Sequence, residues 1–306
     1  MNYPTLRALA LSLSCITCSL FLASCASTPA GRQVDFSHYN KPLEEQVTDR
    51  IKAKVMARLG EGKNLHDRYF IIPFAYENKG NDPAFSHTFL SVIRVFADGS
   101  RPTIGAGLKK VAYQGRDFET FTISWLPHDF PENPNLRVFE GFGAVLVPSL
   151  NKCPLTMGKS FDLSTTLKLA VQEKGAVGMW GPYEIVKPGF DLAVNRLLLL
   201  RNGSIKYIAD DRRYRKDVIG INCFHAVAGL HDLFPDGGLF GTGFKMWGLN
   251  GTRRVLLEYT TTDKKKNLLL EPVDIGKDLF GFVYAPVGTE KGVYNPFGSA
   301  AFAYHH

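Results

Sequence analysis

Asn222-Cys223-Phe224-His225 is the stretch that decides how this chain is read. A cysteine placed just before an apolar run (Ala226, Val227, Ala228, Leu230) is expected to open a helix, here about Cys223 to Phe234, which Pro235-Asp236-Gly237-Gly238 would end. At that position the helix dipole and the unpaired backbone N–H groups favour the thiolate, so a lowered thiol pKa and a nucleophilic role are expected. His225, two residues on, points about 200° away around a helix and is read as a structural hydrogen-bonding group. The base is sought far upstream, at the head of the strand-like run Ser86-His87-Thr88-Phe89-Leu90-Ser91-Val92-Ile93-Arg94-Val95-Phe96. Nucleophile and base are defined by geometry and not by chain order.

A histidine that opens a strand, followed much later by Asn-Cys-x-His opening a helix, resembles the circularly permuted papain-like branch. This group includes NlpC/P60 enzymes, the lecithin:retinol acyltransferase group and the PPPDE peptidases. Between the two come Gly181-Pro182-Tyr183-Glu184-Ile185, a helix around Phe190–Arg201, and Gly203-Ser204-Ile205-Lys206-Tyr207. The resemblance covers roughly the middle two-thirds of the chain. It implies an α+β fold, an antiparallel sheet packed on helices, with Cys223 as nucleophile and His87 as base. Ala226-Val227 stands where aromatic residues are common in relatives.

A third polar group should hold the imidazole in one tautomer. In an antiparallel hairpin the start of one strand faces the end of the next, which brings His87 opposite Ser124-Trp125-Leu126-Pro127-His128. His128 fits the family pattern better than Ser124, and both stay candidates. Tyr183 and Tyr207 are candidate oxyanion donors, with a core role as the alternative.

The rest of the chain sets the setting. Residues 1–24 read as a lipoprotein signal peptide, with Arg7 before a nearly uncharged stretch from Ala8 to Ala23 that falls short of the ~20 apolar residues of a membrane-spanning helix. Leu22-Ala23-Ser24-Cys25 is similar to the bacterial lipobox, which implies lipidation of Cys25 and a membrane anchor in the cell envelope. With no acidic residue at Ala26 or Ser27, the outer membrane facing the periplasm is expected in a Gram-negative cell. Removal of Arg7 lowers the net charge from +7 to +6. The clusters at 212–216 and 264–266 read as solvated faces, and no nucleic-acid partner is expected.

The five cysteines leave Cys153 as the one possible partner for Cys223 after cleavage and lipidation, and a disulfide between them would exclude the nucleophile. There is no Cys-x-x-Cys, no His-Glu-x-x-His, no complete dinucleotide fingerprint and no Gly-x-Ser-x-Gly elbow. No metal or cofactor is implied.

Residues 25–40 read as a tether. A helix is expected within 41–66, with Leu43, Val47, Ile51, Val55 and Leu59 every four residues and Gly60 at its close. The main domain spans 67–235, with strands at Tyr69–Tyr76, Ser86–Phe96, Phe118–Trp125 and Leu136–Val147 and helices at Leu163–Lys174 and Phe190–Arg201. Residues 236–306 read as a C-terminal extension on the same domain, with a hairpin of Phe244–Trp247 and Arg253–Tyr259 about Asn250-Gly251. The functional expectation is a thiol-dependent hydrolase or acyltransferase acting on cell-wall peptides. Lipid esters are the alternative substrate, and a non-catalytic binding or scaffold lipoprotein is the alternative class.

Overall fold

The run Arg68-Tyr-Phe-Ile-Ile-Pro-Phe-Ala-Tyr-Glu77 is apolar almost without a break, the pattern of a strand covered on both faces. It forms β1 (Arg68–Glu77), the centre of the main sheet in a computed structural model of the chain. The structure describes residues 42–77, 86–100, 104–105, 108–132, 155–173, 175–208, 220–228, 248–260, 268–273 and 279–284. The signal peptide, Cys25, the tether, Cys153, the expected strand at 136–147 and both basic clusters lie outside them. Among the described residues no helix is long and apolar enough to cross a membrane.

On one side β1 pairs antiparallel with β2 (His87–Val95), Arg68 opposite Val95 and Tyr76 opposite His87. Next to β2 lies β4 (Arg116–Ile123), reached from β3 (Lys109–Tyr113) through Gln114-Gly115. Both turn residues have positive φ, 47° and 74°, which matches a two-residue hairpin turn to the twist of its strands. On its other side β1 pairs with β7 (Ala176–Trp180) over Phe74–Glu77 and with β8 (Tyr183–Ile185) over Tyr69–Ile71. Pro73, which has no N–H to offer, falls in the gap between these two partners. β11 (Leu279–Tyr284) extends the sheet beyond β7, giving the order β11-β7-β1-β2-β4-β3.

A second, four-stranded sheet joins β10 (Gly220–Ile221), β9 (Lys206–Tyr207), β6 (Thr156–Ser160) and β5 (Trp125–Pro127) in that order. The chain enters it at Ser124, between β4 and β5. The architecture is therefore mixed α and β with largely antiparallel sheets.

Side-chain alternation sends one face of the main sheet to each of two cores. Phe70, Ile72, Phe74, Phe89 and Ile93 pack with α1 (Leu43–Leu59) and α2 (Leu163–Gln172). The stripe Val47, Ile51 and Val55 is the buried face of α1, and Gly60 closes that helix at φ 72°, as the four-residue spacing predicts. Ile71, Ala75, Leu90 and Val92 face α3 (Lys187–Arg201), α4 (Cys223–Val227) and α5 (Gly248–Tyr259).

Two expectations are corrected here. Residues 253–259 are not a strand of a hairpin about Asn250-Gly251, because that dipeptide lies inside α5. Among the described side chains Thr252, Val255, Leu256 and Tyr259 are buried, three, one and three residues apart, which is helical spacing and not the alternation of a strand. Tyr259 donates to the Val227 carbonyl at 2.6 Å and Thr252 to that of Phe74 at 2.9 Å, so the helix is tied to both α4 and the sheet. The helix opened by Cys223 is also shorter than expected, ending at Val227 because Ala228 is extended (φ −72°, ψ 151°).

Candidate active site

β4 leaves the main sheet at Ile123, opposite Leu90, so the first residues of β2 have lost that neighbour. Into this opening come Ser124, the start of α2 and the short helix α4, which packs against β2. His87 is the first residue of β2, and its side chain is fully buried. The Phe89 ring stacks beside the imidazole, centroids 5.5 Å apart at 12°, and Tyr76 meets it from β1 at 5.3 Å.

A line of hydroxyls fixes the imidazole. His87 Nε2 is 2.9 Å from Ser124 Oγ, Ser124 Oγ is 2.8 Å from Thr166 Oγ1, and Thr166 Oγ1 is 2.8 Å from the Asp162 carbonyl oxygen. Thr166 Oγ1 is the donor in both of its bonds, sharing its proton between the Asp162 carbonyl and Ser124 Oγ. The Ser124 hydroxyl can accept from Nε2–H or donate to Nε2, so the tautomer sets the direction of that last bond. Nδ1 has no hydrogen-bond partner among the described residues. The Nε2–H tautomer, with Nε2 anchored on Ser124 and the lone pair on Nδ1, is the state a general base needs.

Burial lowers the His87 pKa from its ordinary value to about 3. The ring is neutral across the physiological range, and a resting imidazolium is disfavoured. Nearby, burial pushes the Glu173 carboxyl up to about 8, partly offset by the Tyr76 hydroxyl beside it. Neither Glu173 oxygen makes a well-formed hydrogen bond among the described residues. The Tyr76 phenol is driven well above its usual range, first by burial and then by the charges of Glu173 and Cys223. Tyr76 thus sits within electrostatic reach of the thiol and in ring contact with His87.

Cys223 is the first residue of α4, behind the N-cap Asn222, whose Oδ1 accepts from the His225 N–H at 3.0 Å. The N–H groups at the head of a helix have no acceptor within it, so those of Cys223 and Phe224 face out of the ladder. Cys223 is a thiol, not half of a disulfide, and is 3% exposed. Trp125 and Arg196 hold the ends of this segment. Trp125 Nε1 donates to the Ile221 carbonyl at 3.1 Å, and buried Arg196 donates to the carbonyls of His225, Ala226 and Ala228 at 3.0, 3.1 and 3.2 Å. His225 is buried on the short helix, with its ring 5.1 Å from that of Phe224.

The structure thus brings α4, β2 and Ser124 together, with His87 Nε2 on Ser124 and Nδ1 without a partner among the described residues. His128, the favoured sequence candidate for the orienting group, does not occupy that place. Its side chain is 52% exposed and lies 3.7 Å from Asp129 Oδ1. The turn that follows β5 carries it outward, and Ser124 lies opposite the imidazole because the register of β4 continues one residue past Ile123. Thr166 and Asp162 were not foreseen. Their signal is weak in sequence, since a threonine four residues after a helix cap is common for local reasons. Tyr183 and Tyr207 are core residues, and Tyr207 lies on β9 beside Ile221, within electrostatic reach of Tyr76.

Among the described residues no three His, Cys, Asp or Glu side chains gather as a metal-binding group. Comparison with known proteins finds no matching family model, no matching curated protein and no matching solved structure.

Proposed function

We propose that this chain is a cell-envelope lipoprotein, anchored through a lipidated Cys25, whose α+β domain is a permuted papain-like cysteine hydrolase or acyltransferase. One observation carries this reading: His87 is bonded through Nε2 to Ser124, its Nδ1 has no partner among the described residues, and Tyr76, in ring contact with it, is within electrostatic reach of Cys223. In the proposed reaction the Cys223 sulfur attacks an acyl carbonyl of a cell-wall peptide as its proton passes to His87 Nδ1. The backbone N–H groups at the head of α4 receive the developing oxyanion. His87 returns the proton to the leaving amine, and water or a second acceptor then releases the acyl group from sulfur. Because burial resists a standing imidazolium, proton transfer accompanies attack instead of preceding it.

A second reading, a non-catalytic binding lipoprotein of the same fold, is favoured by the burial of both side chains, which among the described residues leaves a substrate no open path to them. Turnover of a wall-peptide substrate, with a phospholipid ester in parallel, separates the readings. Cys223→Ala is expected to abolish turnover, His87→Ala to lower it by about 10²–10⁴-fold, and the double variant to be no worse than Cys223→Ala alone. Additive losses would refute a shared mechanism, and absence of thiol-dependent turnover on both substrates would favour the binding reading. The intact mass of the membrane-extracted chain is expected to show a start at Cys25 with acyl mass added. A chain starting elsewhere would remove the anchor.

A further inference from the structure

A cavity of about 510 Å³ lies under α1, over the part of the main sheet made by β2, β3 and β4. That volume is within the ~300–1,000 Å³ typical of small-ligand pockets. Its apolar wall comes from Ile51 and Val55 of α1 and from Ile93, Val111 and Phe118 of the strands. Ser91 and Thr122, bonded to each other at 2.9 Å, mark the end nearer His87. Ser91 and His87 are four residues apart on one strand, about 13 Å at 3.3 Å per residue, and Phe89 and Ser124 stand between them. The cavity shares Asp162 with the line of groups behind His87, and neither His87 nor Cys223 lines it.

Its charge is one-sided. Lys52, Lys109, Lys159 and Arg201 line it, against Glu44 and Asp162. Both acids are engaged at home: Glu44 accepts from Ser164 Oγ, and Asp162 caps α2 by accepting from the Thr165 N–H. Two of the ammonium groups lie over aromatic rings of the lining, Lys52 at 5.1 Å from Tyr113 and Lys159 at 5.2 Å from Phe161. An apolar wall under a cationic mouth is complementary to a molecule with a long apolar tail and one negative head.

We propose that this cavity binds a single-chain lipid with a carboxylate head, its tail along Ile51, Ile93 and Phe118 and its head among Lys52, Lys109 and Lys159. The proposal does not depend on Cys223 being catalytic. Calorimetric titration of the full chain with laurate tests it, beside dodecyltrimethylammonium, which has the same tail and the opposite charge, and beside inorganic phosphate. Laurate is expected to bind, the cationic amphiphile at least tenfold more weakly, and phosphate not measurably. Lys109→Glu with Lys159→Glu, both on exposed side chains, is expected to weaken laurate at least tenfold. Thr120→Trp, which fills the cavity from β4, is expected to abolish binding, and in all these variants alkylation of Cys223 should proceed as in the wild type. Absence of laurate binding, equal affinity for the two amphiphiles, phosphate binding as tight as laurate, or indifference to the lysine reversals would each overturn it.

Discussion

Ser124 is the residue on which the site turns. Its hydroxyl is the only group bonded to His87 among the described residues, and it accepts a second bond from Thr166. Ser124→Ala should cost about 0.5–1.5 kcal/mol of stability, the usual worth of a neutral hydrogen bond. Its larger effect should fall on tautomer. If Nδ1 is the base, ring-nitrogen NMR is expected to show His87 as the neutral Nε2–H form at pH 5 in the wild type and as a mixture in Ser124→Ala, with turnover down about tenfold or more. A wild-type His87 charged at pH 5 would contradict the burial argument, which lowers its pKa to about 3. The sequence exposed the strand-opening position of His87 and the region opposite it. It did not separate Ser124 from His128, because that choice depends on a bend at the end of β4 that no local pattern announces.

At the scale of elements, the small sheet acts as a clamp on α4. The Trp125 ring lies directly on Gly158: a Cβ added there would come within 2.0 Å of Trp125 Cζ2. The same ring holds the Ile221 carbonyl, two residues before Cys223. Gly158→Ala should therefore force the indole off its seat, destabilising the protein by about 1–3 kcal/mol. It should also change the alkylation rate of Cys223, although residue 158 is on another strand. Denaturant unfolding and a thiol-labelling time course check the two effects, and an unchanged labelling rate would separate the clamp from the thiol. Long elements with a strong period, such as α1, β1 and α2, were legible in sequence. The strands β5, β9 and β10 have only two or three residues each, too few for any period, and are fixed by partners distant in sequence. Asn250-Gly251 misled for the opposite reason: a strong local turn signal was overridden by the apolar face of α5.

Over the whole molecule, two buried acid–base groups shape stability against pH. His87 falls from 6.5 unfolded to about 3 folded, so its contribution is present above pH 6.5 and is lost as pH falls toward 3. Glu173 rises from 4.5 unfolded to about 8 folded, so its contribution is present below pH 4.5 and is lost as pH rises toward 8. Between 4.5 and 6.5 the two slopes oppose each other and nearly cancel, and above 6.5 only that of Glu173 remains. The urea midpoint is expected to be level across pH 4.5–6.5 and to decline from 6.5 to 8. Glu173→Gln should remove the decline, and a decline that persisted in that variant would assign it elsewhere. The departure of β4 from the main sheet at Ser124 also bears on which length changes this chain can tolerate. Successive strand residues point to opposite faces, so gaining or losing one residue between Phe118 and Ser124 would turn the serine away from His87 and toward the face that carries Leu90 and Val92. A change of two would restore its direction but misplace it by about 7 Å. Insertions between Val95 and Lys109 carry no such penalty, and variation in length among descendants of this sequence should collect there and be absent from the seven residues that carry the serine to the histidine.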